Sequence, residues 1–165
     1  MNSTPEEEKV YATLRSLGIA FDKHEHPPVF TVQEAREHWK DLRGAHCKNL
    51  FLRNKKGNRH YLVILEYTKN ADLKKLNDKL GEDRLSFGSP DRLRRLLGLE
   101  PGAVSPFGLI HDIGREVTVI IDRDLCQAER IYFHPNVNTA TIGLSFSDLE
   151  KFLAWRGNPV RFLTF

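Results

Sequence analysis

The sequence predicts an α/β fold of the mixed α+β type, a single domain in which a mixed, largely antiparallel central sheet is flanked by helices. Strand-like apolar runs alternate with helix-like segments along the 165 residues. A polar, glycine-containing turn at 54–58 separates two apolar runs, which is typical of a β-hairpin and therefore of antiparallel pairing. A chain of 165 residues has room for one core but not two, so we expect one domain over residues 1–165, and 40% hydrophobic residues suffice to build its core.

The first elements are marked by capping signals. A capping box at 4–7, with proline at the first helical position, predicts a helix that ends at Gly18. Apolar and polar residues alternate over 19–24, which indicates a half-buried strand. A second capping box at 31–34 predicts a short helix that runs towards Trp39.

The middle of the chain contains the predicted hairpin and two helices. The strands of the hairpin are 48–52, which ends in leucine, phenylalanine and leucine, and 61–65, which consists of tyrosine, leucine, valine and isoleucine. Leucines at helical spacing then predict one amphipathic helix that closes at Gly81 and another that starts at Ser89 and stops at Gly98.

The last third begins with a loop at 100–108, by its glycine and proline content. A turn at 122–124 is predicted to join two strands, and a third capping box at 147–150 is predicted to open the last helix. The predicted strands of this region are 117–121, 130–133, 141–146 and 160–163.

Composition and charge exclude several classes of protein. The net charge of +3 is too small for histone-like chemistry but is compatible with a local basic groove for nucleic acid. No apolar run approaches the roughly 18 residues of a spanning helix, and the acidic segment 1–9 does not resemble a signal peptide. Cys47 and Cys126 lie far apart, so we expect a reduced, cytoplasmic protein. The dinucleotide-binding, Walker and nucleophile-elbow motifs do not occur.

Two histidine-containing patterns suggest a metal site or a thiol nucleophile, but neither is supported by its spacing. His24 and His26 would share a strand face as a metal pair, but no third ligand has suitable spacing, so we interpret them as a solvated edge and expect no metal. His46 and Cys47 are adjacent on a predicted strand and therefore point to opposite faces, which prevents a direct thiol–imidazole pair. We interpret Cys47 as a small apolar filler.

Three features can carry chemistry, and each has a plainer alternative. Lys48 shares a strand face with apolar residues, so its ammonium needs either an anion partner or an escape to the rim. The loop 102–106 has backbone N–H groups that can hold an oxyanion or phosphate, but glycine and proline occur in most loops. The segment 134–141 places an imidazole and amides at a strand end, which also describes an ordinary polar turn.

Taken together, these three features resemble one family. The run Lys48-Asn49-Leu50-Phe51-Leu52, the Gly-x-x-x-Pro loop at 102–106 and the Asn-Thr-Ala-Thr-Ile run at 138–142 occur in the order typical of the YbaK-like prolyl-tRNA editing proteins. Within that superfamily the chain is most similar to the stand-alone alanyl-tRNA(Pro) deacylases of the ProX or PrdX type. The resemblance covers essentially the whole chain.

The resemblance implies a hydrolase that removes misattached alanine from proline tRNA by cleaving the ester at the 3′ terminal adenosine. Lys48 would hold the 3′ end through a phosphate or the ester oxygen, Gly102 would supply backbone contacts near the ester, and His134 would line the pocket and orient the substrate. The further substrate-binding residues that it implies are Asn49, Ala103, Pro106, Asn138 and Thr139. No cofactor or metal is implied, because an aminoacyl ester is already activated and positioning supplies much of the acceleration.

The implied partner is the acceptor end of aminoacylated proline tRNA, with prolyl-tRNA synthetase as a transient partner. Two alternatives stay open at this point. The same fold and reaction can serve cysteinyl-tRNA(Pro) or another small misacylated amino acid. A non-catalytic RNA-binding or regulatory protein can also keep the fold without the reaction.

Overall fold

A computed structural model describes residues 3–165, with the exception of the Val32 side chain, so the first two residues of the predicted domain lie outside it. Five α-helices occur in this range, together with short 3-10 helices at Pro106–His111 and Arg123–Gln127. The α-helices are α1 (Pro5–Ser16), α2 (Val32–Trp39), α3 (Leu73–Leu80), α4 (Pro90–Leu97) and α5 (Phe146–Arg156). The strands are β1 (Asp22–Glu25), β2 (Ala45–Asn54), β3 (His60–Glu66), β4 (Leu85–Phe87), β5 (Val117–Asp122), β6 (Ile131–Phe133), β7 (Ala140–Leu144) and β8 (Val160–Leu163).

The strands form one mixed sheet in the order β1-β7-β6-β2-β3-β5-β8, and β4 also pairs with β2. Four of the strand pairs are antiparallel and three are parallel. Helices flank this sheet, so the predicted fold class is confirmed. None of the helices in residues 3–165 is long and apolar enough to cross a membrane.

The core lies on both faces of β3, which is buried along Tyr61–Leu65. Because side chains alternate along a strand, Leu62 and Ile64 pack with α1, α4 and α5, whereas Val63 and Leu65 pack with α3. A central strand buried on both faces explains why this run reads as continuously apolar.

The predicted helix boundaries are largely confirmed. Thr4, Thr31 and Ser89 cap α1, α2 and α4, each accepting a hydrogen bond from a backbone N–H three residues on. The last helix is an exception, since its cap is Ser145 and not the predicted 147–150 box. Ser145 Oγ accepts from the backbone N–H of Asp148, and β7 accordingly stops at Leu144.

Three other details of the structure differ from what was predicted. The first strand covers Asp22–Glu25 instead of 19–24, because Ile19 is buried against α1 and its N–H donates to Leu14 O. The short strand β4 was not predicted. The predicted loop at 100–108 runs into the 3-10 helix that begins at Pro106.

The strands at 117–122 and 131–133 are not neighbours, although a tight turn was predicted between them. The 3-10 helix Arg123–Gln127 separates them, and β5 lies between β3 and β8 while β6 lies between β2 and β7. Pairing of β5 with β3 over five residues outweighs the local turn signal.

Candidate active site

The central feature of the site is a gap in the sheet beside β2. This strand pairs with β6 at only two positions, Ala45↔Ile131 and His46↔Tyr132. Pairing on the same side resumes at Leu52, where β4 joins. Within the described residues, no strand therefore faces positions 47–51 of β2 on that side.

Backbone groups of β2 point into this gap. The N–H of Ala45 donates to Arg130 O at 2.9 Å on the β6 side, and Phe51 O accepts from the N–H of Gly88 at 2.9 Å on the β4 side. Alternate residues of a strand direct their N–H and C=O groups to the same side. The backbone groups of Cys47 and Asn49, which lie between these two residues, consequently face the gap.

A pocket of about 180 Å³ occupies this region. Four predicted site residues, Lys48, Asn49, Gly102 and His134, line it together. The other lining residues are Val29, Phe30, Thr31, Ala35, Trp39, Cys47 and Val104. Distant segments of the chain thus meet in one concave site, as expected for a ligand-binding pocket.

Lys48 lies half-buried at this pocket, and its Nζ donates to Asn70 Oδ1 at 3.3 Å. Its neighbours on the same strand face, Leu50 and Leu52, pack into the apolar cluster around α3. No ion pair joins Lys48 to a carboxylate of residues 3–165. The ammonium is therefore held by a neutral amide and is available to an anion.

Gly102 adopts a φ of +91°, a conformation that side chains with a Cβ rarely take. A Cβ at this position would lie 3.3 Å from Cδ1 of Phe30, so the loop and the Phe30 ring meet at the pocket. Ala103 and Pro106 are buried and do not line the pocket. Their loop is instead fixed by Ser105, whose hydroxyl donates to Asn136 Oδ1 and accepts from the N–H of Phe107.

The tautomer of His134 follows from its hydrogen bond. Its Nδ1 lies 2.8 Å from Ala140 O, so Nδ1 carries the proton and donates, which leaves Nε2 as an acceptor. Burial lowers the pKa of this imidazole, and the nearby His26 lowers it further against an opposing hydrogen bond. The ring is therefore neutral near pH 7 and can accept a hydrogen bond from substrate or water.

His26 is not at a solvated edge as predicted, because it is buried with 7% of its surface exposed. Its Nδ1 donates to Pro27 O at 2.9 Å, and its Nε2 accepts from the Thr141 hydroxyl at 2.9 Å. The ring edge also packs on His134, with centroids 5.9 Å apart. Both nitrogens are occupied, so His26 supports the wall of the pocket.

Asn138 and Thr139 do not line the pocket but hold one of its walls. The side-chain amide of Asn138 donates to Val29 O, and the backbone carbonyl of Asn138 accepts from the N–H of Val29. Thr139 O accepts from the N–H of His26. These contacts position the segment 26–31, which enters α2.

Segment 26–31 and α2 also contribute to the pocket, which the sequence motifs did not predict. Phe30 is 70% exposed at the pocket mouth, and Trp39 closes one side. A large aromatic residue in a proline-containing loop was the available signal for Phe30. Cys47 lines the pocket as well, but burial raises the pKa of its thiol, so it is protonated and not a nucleophile.

Comparison with known proteins identifies the family of this chain. Residues 26–152 match the family described as the aminoacyl-tRNA editing domain. The chain belongs to this family of aminoacyl-tRNA deacylases, which are ester hydrolases.

Individual relatives are similar to the chain over nearly its whole length. The chain is 43% identical over 152 residues to the prolyl-tRNA editing protein ProX of Acetoanaerobium sticklandii, covering 92% of this chain and 93% of that protein. It is 35% identical over 156 residues to the prolyl-tRNA synthetase associated domain-containing protein 1 of Mus musculus, covering 92% of each chain. A solved structure described as a candidate trans-editing enzyme for prolyl tRNA synthetase has a TM-score of 0.75 and 23% identity, with 99% of both chains covered.

Proposed function

We propose that this protein is a trans-editing hydrolase that deacylates mischarged alanyl-tRNA(Pro) and cleaves the aminoacyl ester at the 3′ terminal adenosine. The observation that carries the proposal is the pocket at the gap beside β2, which Lys48, Asn49, Gly102 and His134 all line. The likeness to ProX supports proline tRNA as the carrier of the misattached amino acid.

Pocket size supports a small aminoacyl group. Pockets for drug-sized ligands usually measure roughly 300–1,000 Å³, whereas this one is about 180 Å³ and is walled by Val29, Ala35 and Trp39. We propose that the walls admit alanine and exclude the larger proline ring, which would protect the correct product. A single methylene changes binding by only about 1–3 kcal/mol, so amino acids close to alanine in size must be compared directly.

The chemistry needs a polarised carbonyl and a placed nucleophile. The N–H groups of Cys47 and Asn49 face the gap and are suited to stabilise the oxyanion that develops during attack. Gly102, with no side chain, lets the backbone of its loop approach the ester. Neutral His134 accepts a hydrogen bond that orients the substrate.

The tRNA end would be held by charge and by stacking. The Lys48 ammonium, with only Asn70 as its partner, is suited to a phosphate of the 3′ strand. Phe30 offers an exposed ring at the pocket mouth, on which the terminal adenine can stack. In this proposal residues 1–165 act as one cytoplasmic editing domain that receives tRNA(Pro) released by prolyl-tRNA synthetase.

The test is a deacylation panel in which proline tRNA is charged separately with alanine, cysteine, serine and proline. We expect fast loss of alanine and retention of proline. Fast loss of cysteine with alanine intact would overturn the assignment in favour of a cysteinyl-tRNA(Pro) deacylase. Binding without hydrolysis of any charged tRNA would show a non-catalytic RNA-binding protein. Alanine on its own cognate tRNA is the matched control for recognition of the tRNA body.

A further inference from the structure

A second, smaller cavity adjoins the candidate active site. Trp39, Cys47, Asn49 and His134 line both spaces, and the smaller one extends towards His46 and Thr141. Its volume is about 20 Å³, and one water molecule needs roughly 10–15 Å³ on the same measure. The cavity therefore has room for one water molecule next to the pocket.

His46 contributes a buried acceptor to this region. Its ring is 8% exposed and is sandwiched between Trp39 and Tyr132, with centroid distances of 4.6 and 4.7 Å. Nε2 lies 3.0 Å from Leu42 O, so Nε2 carries the proton and donates, and Nδ1 holds a lone pair. Burial lowers the pKa of this imidazole, which keeps Nδ1 unprotonated near pH 7.

Nδ1 of His46 and Oδ1 of Asn49 share an unusual property. Both atoms are buried, and neither has a hydrogen-bond donor among residues 3–165. Burying an acceptor without a donor is unfavourable, so such atoms normally indicate a bound partner. A water molecule supplies such a donor and fits a space of this size.

We propose that the small cavity binds one water molecule, that this water donates to His46 Nδ1, and that it is the nucleophile of the hydrolysis. With one hydrogen held by His46, the oxygen lone pairs are left for the adjoining pocket. The role as nucleophile rests on the proposed deacylase function, whereas the binding of water does not.

The reaction then balances without any other reagent. A lone pair of the water oxygen forms the bond to the ester carbonyl carbon, the carbonyl electron pair moves to its oxygen, and one water proton passes to His46 Nδ1. When the tetrahedral species collapses, the bond to the ribose oxygen breaks and its electron pair stays on that oxygen. The ribose oxygen takes the proton from His46, which leaves free amino acid and uncharged tRNA.

The first experiment is a high-resolution crystal structure of the free protein. We expect one ordered water in the small cavity, at about 2.7–3.2 Å from His46 Nδ1. A cavity without ordered water, or a protein donor on His46 Nδ1, would overturn the proposal whatever the protein's activity. If the water is present and the wild-type protein hydrolyses no charged tRNA, the proposed function and the catalytic role fail while the water site stands.

The second experiment compares two substitutions of His46 in single-turnover deacylation. His46→Phe preserves stacking between Trp39 and Tyr132 but removes the acceptor, and His46→Asn loses the stacking but retains an acceptor near the position of Nδ1. We expect His46→Phe to be at least about thirtyfold slower than wild type, with His46→Asn intermediate and tRNA affinity within about threefold for both. A purely structural histidine predicts the opposite order, and that order would overturn the catalytic role.

The matched control is His60→Phe, since His60 is also buried and stacked, on Phe51 with centroids 5.6 Å apart, but lines neither cavity. Its rate per folded molecule should stay within about twofold of wild type. Thermal unfolding of all three variants fixes the folded fraction. If His46→Phe does not fold, the His46→Asn rate and the crystal structure still decide the proposal, because an unchanged rate in His46→Asn would exclude His46 as the proton acceptor.

Discussion

The rings of His46 and Tyr132 stack 4.7 Å apart with their planes within 7° of parallel, at the last position where β2 and β6 are paired. Trp39 covers the other face of His46 at 4.6 Å, which links the end of α2 to this point. Beyond the stack the two strands separate, and the candidate active site opens between them. A rigid aromatic stack thus defines where the sheet ends and the pocket begins.

Replacement of Lys48 by alanine tests the proposed contact with the tRNA end. The ammonium has no carboxylate partner among the described residues, so its loss should leave the fold intact but remove a phosphate contact. We expect deacylation of alanyl-tRNA(Pro) to fall at least about tenfold, or roughly 1.4 kcal/mol. Lys56→Ala, in the exposed hairpin turn, is the control and should be unaffected. Equal rates in the two variants would show that the Lys48 ammonium only extends to solvent and has no role in catalysis.

The substitution Gly102→Ala tests whether Gly102 contributes to catalysis or only allows a turn with positive φ. Gly102 and Gly81 both have positive φ, +91° and +69°, but only Gly102 lines the pocket. Alanine should lower the free energy of unfolding by about 1–2 kcal/mol at either position. Single-turnover rates per folded molecule should fall sharply for Gly102→Ala alone. If both variants retain the wild-type rate, the loop lies outside the catalytic site.

Phe30→Ala tests stacking at the pocket mouth. Phe30 and Phe87 are similarly exposed, at 70% and 63%, but only Phe30 lies at the pocket. Loss of one base–aromatic stack costs about 1–3 kcal/mol, so binding of the charged tRNA should weaken roughly five- to 150-fold. Phe87→Ala should bind normally, and Phe30→Tyr should restore affinity. A binding assay on these three variants checks the prediction, and equal losses at Phe30 and Phe87 would contradict it.

Stability should fall as the pH drops below about 6.5, the ordinary histidine value in an unfolded chain. Burial lowers the pKa of His46, His60, His111 and His134 in the folded protein. Between those lowered pKa values and about 6.5, the unfolded chain binds more protons than the native state. The free energy of unfolding therefore rises with pH in this range and decreases on acidification. Urea unfolding at about pH 7.5, 6.5 and 5.5 measures this, and His134→Asn should flatten the decline. A constant or rising urea midpoint on acidification would refute the assignment.

Local patterns predicted those parts of the structure that depend on near neighbours. The caps at Thr4, Thr31 and Ser89 and the hairpin turn at 54–58 were correct, because capping bonds and turns involve residues only a few positions apart. The capping box at 147–150 was wrong because Ser145 offers the same chemistry two residues earlier, where β7 stops.

The environment of His26 was not predicted by local patterns. His26 follows a strand and precedes two prolines, which by pattern is an exposed edge. In the structure it is buried, because Thr141 on β7 meets it across the sheet and His38 of α2 stacks on it. Neither contact leaves a trace in the residues next to His26.

By itself, the sequence determined the fold class, most of the helices and the residue types of the site, since these follow from periodicity, capping and motif. Only the tertiary structure decided that β6 leaves β2 after two paired residues, that α2 closes the pocket with Trp39, and that His46 and Asn49 keep buried acceptors beside it. The physical reason is that strand register and burial are set by contacts between segments far apart in the chain. The unpaired stretch of β2 lies between the last residue that pairs with β6 and the first that pairs with β4. Both partners are far from Lys48 in the chain, so no local pattern around Lys48 predicts this stretch.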